Sequence, residues 1–274
     1  MEAPVPLPAT LSLVYHARES FPREVPLEAV YRTLDVESPG GRPAVIVNMV
    51  QTLDGVVAIG GKAWAIGSEV DHYLFRTLRG WADVVLSGAG TLRENDVIAA
   101  THASLQAERR AAGRPAHPTA VVVTRRAEFS DDVLRKRFFT HREATPVVVT
   151  TELARDADRR RVTTAGAELV VVPATPEGEI DLRAVLDRFS SRGVRRVLAE
   201  GGPSTNRRLV EAGLVDELFV TLTARVVGEA GAQAVLTGVL GGAPADLRLI
   251  SELHCRAPYL REWYLRFAVA GARG

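Results

Sequence analysis

The sequence predicts one α/β domain in which a mixed, mostly parallel sheet is sandwiched between helices. Three observations predict it. From Ala44 onward, short β-branched runs alternate with helical patterns. Several of those runs are continuous apolar blocks, the mark of strands covered on both faces. Near the end, two strand-like stretches follow one another directly, which gives an antiparallel pair.

Taken in order, residues 1–43 are punctuated by proline and glycine, the last breaker being "ESPGGRP". They predict an irregular N-terminal arm with one short helix near Pro26–Thr33. Residues 44–274 then form a single domain. Strands are predicted at Ala44–Val50, Asp83–Leu86, Thr119–Thr124, Pro146–Thr150, Glu168–Val172, Arg195–Ala199 and Asp216–Thr223. Helical spacing of apolar residues marks Ser68–Trp81, Asp181–Ser191 and Pro203–Ala212. Ser68 and Asp181 suit N-caps, and Gly213 suits a helix stop. "LRLISELHC" and "YLREWYLRFAV", joined at Arg256–Pro258, predict the antiparallel pair that closes one edge of the sheet.

Bulk properties bound the function. The chain has 274 residues, 46% of them apolar, enough for a large core. With 34 basic against 33 acidic side chains the formal net charge is +1. Such a balance carries no footprint for a nucleic-acid partner or a polybasic membrane anchor. Lys62 and Lys136 are the only lysines, so the positive charge is nearly all arginine, read here as mostly solvated. Cys255 is the single cysteine. It allows no intrachain disulfide and no cysteine metal cluster, and fits a reducing cytoplasm. No apolar run is long enough to span a bilayer, and the start lacks a signal-peptide pattern, so the expected location is cytoplasmic.

Four stretches at predicted strand ends carry chemistry, where open α/β sheets take ligands. In "VNMVQTLDGVVA", Asp54-Gly55 reads as a hairpin turn between Val45–Val50 and Val56–Ile59, compatible with Asp54 also serving a ligand. In "ADVVLSGAGTLREND", small residues from Gly88 to Thr91 let phosphates approach backbone N–H groups, although the third glycine of a dinucleotide fingerprint is missing. In "AVVVTRRAEF", Thr124-Arg125-Arg126 either are solvated or offer a hydroxyl and a guanidinium to a 2′-phosphate. In "RRVLAEGGPSTNRRLVEAGLVDEL", Glu200 precedes Gly201-Gly202 and Pro203. Two readings fit that last stretch equally: a plain strand-to-helix turn, or a helix start that receives a phosphate beside a ligand-facing carboxylate.

Together, "TLDG" (Thr52–Gly55), "LRGWADVVLSGAGT" (Leu78–Thr91) and "EGGPSTNRRLVEAGLVDEL" (Glu200–Leu218) resemble the pyrimidine reductases of riboflavin biosynthesis, over about Ala44–Val269. The resemblance implies a dihydrofolate-reductase-like three-layer sandwich, an NADPH cofactor and a homodimer. It implies reduction of 5-amino-6-(5-phosphoribosylamino)uracil, whose ribosyl ring opens and becomes a ribityl chain. Carried over, Val50, Trp64, Gly88, Thr91, Asn95 and the run Gly201, Gly202, Pro203, Ser204, Thr205, Asn206 line NADPH, with Thr124 and Arg125 at its adenosine phosphate end. Asp54 and Glu200 are the implied catalytic acids, and Lys62, Arg79 and Glu200 the substrate contacts; no metal is implied.

The departures fall on the substrate half. Val56 stands where many members carry Lys or Arg after "LDG", and the run "NDVIAATH" (Asn95–His102) lacks the arginine that helps bind the substrate phosphate, with His102 as its basic residue. The zinc-binding residues of the deaminase domain that often precedes the reductase are missing. Two other readings therefore stand beside the first. One is an NADPH reductase of another heterocycle such as a dihydropteridine or dihydrofolate; the other is a dinucleotide- or flavin-binding protein without catalysis.

Overall fold

In the computed structural model, which describes residues 7–36, 38–60, 62–141, 145–228, 234–235, 245–255 and 261–269, the predicted runs become strands almost residue for residue. The strands are β1 (Thr10–His16), β2 (Arg23–Pro26), β3 (Ala44–Thr52), β4 (Val84–Gly88), β5 (Thr119–Val123), β6 (Val147–Thr151), β7 (Glu168–Val172), β8 (Arg196–Ala199), β9 (Glu217–Thr223), β10 (Leu247–Cys255) and β11 (Glu262–Val269). They form one sheet in the order β2-β1-β10-β11-β9-β3-β8-β4-β5-β6-β7. From β9 to β7 every neighbouring pair is parallel, and from β9 to β2 every pair is antiparallel.

Helices α1 (Glu69–Trp81), α2 (Ala89–Glu94), α3 (Ala103–Ala111), α4 (Asp131–Leu134), α5 (Arg137–Thr140), α6 (Asp156–Thr164), α7 (Leu182–Ser190) and α8 (Pro203–Glu211) cover the sheet. Strand alternation divides the apolar blocks between two layers. Val45, Val47, Val121, Val123, Val147 and Val149 pack with Val185 and Leu186 of α7 and Leu209 of α8. Ile46 and Val85 pack with Leu78 and Trp81 of α1, and Val122 and Val148 with Leu92 of α2 and Val162 of α6. This is the expected three-layer sandwich. Ser68 accepts from Val70 N–H and Asp71 N–H, Asp181 accepts from Arg183 N–H and Ala184 N–H, and Gly213 has φ +63°.

Four expectations change. Residues 10–16 and 23–26 are strands rather than irregular arm: Leu11 and Leu13 are buried against Val70, Leu74 and Leu253, and the hydrogen-bond partner of β1 is β10, far away in sequence. Of the short helix expected near Pro26–Thr33, a single 3-10 turn forms at Leu27–Ala29. The β10–β11 pair is consequently interior, and β2 takes the sheet edge; the connection at Arg256–Pro258 lies outside the described residues. The turn at Asp54-Gly55 forms, with Gly55 N–H donating to Thr52 O at 3.0 Å, but Val56–Ile59 does not return as a strand.

The arginines, too, are less solvated than the composition suggested. Arg109 is 3% exposed, and its guanidinium donates to Pro115 O at 2.8 Å, Gly80 O at 2.9 Å and Ala82 O at 2.5 Å. Arg114 donates to Trp81 O and Ala82 O. These side chains satisfy the carbonyls that the end of α1 leaves open. Arg42 and Asp216 pair bidentately at 2.8 and 2.7 Å, and Asp216 also accepts from Val45 N–H at 2.7 Å, fixing the first residues of β3 to the start of β9.

Under α1 lies a buried acidic pair. Glu262 accepts from Ser68 N–H at 3.0 Å, Ser68 Oγ at 2.6 Å and Tyr264 Oη at 2.6 Å, and burial raises its pKa. Asp71 beside it is pushed up to about 7, chiefly by burial, with the Thr221 hydrogen bond opposing and the Glu262 charge adding to the rise. A folded-state pKa above the unfolded one means stability is complete below the unfolded value and is lost as pH rises through the folded one. Stability should therefore fall between about pH 4 and about pH 7. Urea midpoints across that window should fall less for Asp71→Asn than for the wild type; equal slopes would clear Asp71 of the effect.

Candidate active site

Strands β8, β4 and β5 end side by side, and a cleft of about 740 Å³ opens at their C-terminal ends. β4 and β8 pair in parallel register, Val84–Leu86 against Val197–Ala199, and each runs straight into a helix. Gly88 is the N-cap of α2 and Gly202 that of α8. The two turns interlock: Gly88 N–H donates to Gly201 O at 2.9 Å and Glu200 N–H to Leu86 O at 3.0 Å. A Cβ on Gly88 would lie 2.5 Å from Thr205 Oγ1, and one on Gly202 3.2 Å from Thr91 Oγ1. Gly201 has φ +99° and is joined to Gly202 by a cis peptide. Both turns line the cleft, so the first-turn amides that a helix cannot satisfy internally are presented there.

At the floor stands Glu200, its side chain 6% exposed and paired with Arg79 of α1, itself 12% exposed. Arg79 Nε and Nη2 donate to the two carboxylate oxygens at 2.6 and 2.7 Å. The guanidinium is seated over the Phe75 ring at 4.1 Å and donates to Ala100 O at 3.4 Å. A bidentate fork of this kind fixes the plane of the carboxylate. Arg79 does not line the cleft; it stands behind Glu200.

The other end of the cleft is basic. Thr124, Arg125 and Arg126 follow β5, and Arg208 reaches in from α8. One carboxylate, Glu179 on the turn before α7, bridges them: Arg125 Nη1 donates to its Oε1 at 3.3 Å and Arg208 Nη1 to its Oε2 at 3.1 Å. Arg208 also donates to Ile180 O. Burial lowers the Arg208 pKa, against the pull of Glu179.

Of the residues singled out in the sequence, Glu200, Gly88, Thr91, Asn95, Thr124, Arg125 and the run Gly201–Thr205 line this cleft. Val50, Asn206, Trp64, Lys62 and Asp54 do not. Strand alternation puts Met49 rather than Val50 in the cleft, its Sδ 3.5 Å from where a Gly201 Cβ would sit. Asn206 is fully buried on the inner face of α8, with Nδ2 donating to Val235 O at 3.4 Å. Trp64 stacks on His72 at 3.3 Å between centroids, and Lys62 is exposed, its backbone paired with Ile59.

Asp54 is exposed and occupied locally. Its Oδ1 accepts from Thr52 Oγ1 at 2.5 Å and its Oδ2 from Val227 N–H and Gly228 N–H at 3.0 and 2.8 Å. Chiefly the Thr52 hydroxyl, then the Gly228 amide, lower its pKa to about 2. His102 also stands apart from the cleft, its Nε2 2.9 Å from Tyr73 O. Sequence reasoning missed Met49, Arg93, Glu179 and Arg208. Arg208 was findable, four residues beyond Ser204 and so on the same helix face; Glu179 arrives from a turn after β7, with no local signal.

A three-layer α/β sandwich with a glycine-lined, arginine-capped cleft at its strand ends is the architecture of a small-molecule enzyme. The model of the RibD C-terminal domain matches residues 43–255, and the chain belongs to that family. It is accordingly an oxidoreductase of the riboflavin-biosynthesis type. A 2,5-diamino-6-ribosylamino-4(3H)-pyrimidinone 5′-phosphate reductase of Methanothermobacter thermautotrophicus is 28% identical over 72% of this chain and 85% of its own. A reductase of the same name from Archaeoglobus fulgidus is 29% identical over 65% and 79%. In fold, the chain is similar to a pyrimidine reductase-like protein of Corynebacterium diphtheriae, with a TM-score of 0.71 at 22% identity over 83% of this chain and 92% of that one.

The interlocked turns give a direct test. Gly88→Ala forces its Cβ against Thr205 Oγ1 and should destabilise the protein by about 1–3 kcal/mol in urea unfolding. In a Thr205→Ala background the same change should cost clearly less, and an equal cost in both backgrounds would remove the proposed contact as the cause.

Proposed function

We propose that this chain uses NADPH to reduce the ribosyl arm of 5-amino-6-(5-phosphoribosylamino)uracil to the ribitylamino product. The observation that supports it best is Glu200, held bidentately by Arg79 at the floor of a cleft whose walls are two glycine turns.

The cleft suits a dinucleotide. Glycines stand where a side chain would collide with the facing turn, helix-start amides and the Thr91 hydroxyl are available to phosphate oxygens, and Thr124 and Arg125 wait at the basic end. In this reading the turns 88–91 and 202–205 hold the pyrophosphate region, and Thr124 and Arg125 the adenosine phosphate. When bound, the nicotinamide supplies a hydride to the sugar carbon attached to nitrogen.

The chain's own residues then position and shield. Arg79 fixes the Glu200 carboxylate, which accepts hydrogen bonds from pyrimidine N–H groups and stabilises the positive charge that develops on an iminium-like acceptor. Holding both reactants in one orientation supplies most of the remaining rate. Asp54, with both oxygens already accepting from Thr52, Val227 and Gly228, takes the role of tying two loops together rather than relaying a proton.

A second reading concerns the ring. The archaeal relatives are named for the 2,5-diamino pyrimidinone, which carries an amino group where the uracil has an oxygen and shares the same phosphoribosylamino arm. The reading further includes a homodimer in the cytoplasm, to be checked by light scattering and cell fractionation.

The test is oxidation of NADPH by the purified protein with each pyrimidine and, separately, with dihydrofolate. Turnover of one pyrimidine and not of dihydrofolate is expected; NADPH binding with no turnover of any of the three would favour a non-catalytic binder. Glu200→Gln should lower kcat/KM by on the order of 100-fold, whereas Asp54→Asn should change single-turnover rates by less than about tenfold. Unchanged rates in Glu200→Gln would overturn the role given to that carboxylate.

A further inference from the structure

At the basic end of the cleft, two guanidiniums already share an anion. Glu179 Oε1 faces Arg125 and Oε2 faces Arg208, so the carboxylate lies between them as a phosphate would. The arrangement is built from three separate places in the chain: the end of β5, the second turn of α8, and the turn between β7 and α7. That last turn is itself held, with Thr175 N–H donating to Glu179 O at 2.7 Å and Ala174 bridging to Ile180. Arg208 is anchored by its second bond, to Ile180 O, and its side chain is only 21% exposed, whereas those of Arg125 and Glu179 are both 44% exposed. The Glu179 side chain therefore stands on a held backbone and engages both guanidiniums at once, one oxygen to each.

We propose that Glu179 sets the preference of this chain between 2′-phosphorylated and unphosphorylated dinucleotides, by occupying the two arginines that a 2′-phosphate needs. The inference rests on the nicotinamide reductase reading above and adds a residue to it. A phosphate monoester entering between Arg125 and Arg208 must displace the carboxylate, and the two anions repel if it stays. An unphosphorylated ribose meets no such opposition, and the carboxylate can accept a hydrogen bond from its free 2′-hydroxyl. Glu179 thus lowers the advantage that two arginines would otherwise give to the phosphorylated cofactor.

The test is direct binding, by titration calorimetry, of NADPH, NADH and the fragment pair adenosine 2′,5′-bisphosphate and adenosine 5′-monophosphate to wild type, Glu179→Gln and Arg208→Gln. In Glu179→Gln, the ratio of NADPH to NADH affinity should rise by about tenfold, with the fragments moving in the same sense. In Arg208→Gln the ratio should fall. A ratio unchanged within about twofold in Glu179→Gln, or an equal change for both cofactors, would overturn the proposal while leaving the reductase reading in place. If neither cofactor binds the wild type at millimolar concentration while the protein remains folded by circular dichroism, both the reading and the proposal fail. Thermal melts of the variants complete the experiment: a turn that merely braces the fold would shift Tm without moving the cofactor ratio.

Discussion

The structure depends on the close approach of two turns at the ends of neighbouring parallel strands. Parallel strands about 4.8 Å apart that both lead into helices bring their first helical turns into contact. Here that contact has no spare volume: Gly88 faces Thr205 and Gly202 faces Thr91, at distances that a methyl group would violate or crowd. The backbone bond from Gly88 N–H to Gly201 O then extends the sheet ladder one step past the last paired residues. Everything the cleft offers follows from this. Two helix starts are presented together, and the strand-end carboxylate of Glu200 lines the same cleft.

A second theme is the treatment of charge below the surface. Glu200 with Arg79, Asp216 with Arg42 and Glu217 with Arg266 are each paired through two hydrogen bonds with little exposure. Taking such groups out of water is unfavourable unless the partner geometry is good, and one-sided removal leaves a bare buried charge. The guanidinium fork is suited to this, which gives the arginine-rich composition a structural meaning. Arg109 and Arg114 do the same for backbone carbonyls at the end of α1. By contrast, the acids Asp71 and Glu262 have no such cation fork among the described residues; hydroxyls of Ser68, Thr221 and Tyr264 hydrogen-bond to them, and burial raises the pKa of both.

The cleft consequently has two ends of different character. At the floor, Arg79 and Glu200 are buried and rigidly matched, the arrangement expected of a group that must point one way. At the rim, Arg125, Glu179 and Arg208 are more exposed and joined by longer bonds. Screening and side-chain freedom make such contacts easy to exchange, which suits a place where an anionic ligand comes and goes.

How much of this was legible in the sequence follows from which contacts are local. The apolar blocks at Ala44–Val50 or Pro146–Thr150, the caps Ser68 and Asp181, and the stop at Gly213 are set by residues within a few positions of one another, so the chain announces them. The Gly88–Thr91 and Glu200–Thr205 turns were legible for the same reason, each being a complete motif in one short stretch. Strand β1 was not, because its partner β10 lies at the other end of the chain and the strand is short and set between the breakers Pro8 and Pro22. Nor were the partners of Arg79, Asp54 and Glu179: a side chain's partner is fixed by packing across the sheet, and only the tertiary structure paired Arg79 with Glu200, joined Asp54 to the amides of Val227 and Gly228, and brought Glu179 between two arginines. The sequence by itself determined the layers and the glycine turns, since those obey periodicity and backbone sterics; the tertiary structure decided which charges line the cleft and which face each other, since that depends on distances the chain order does not encode.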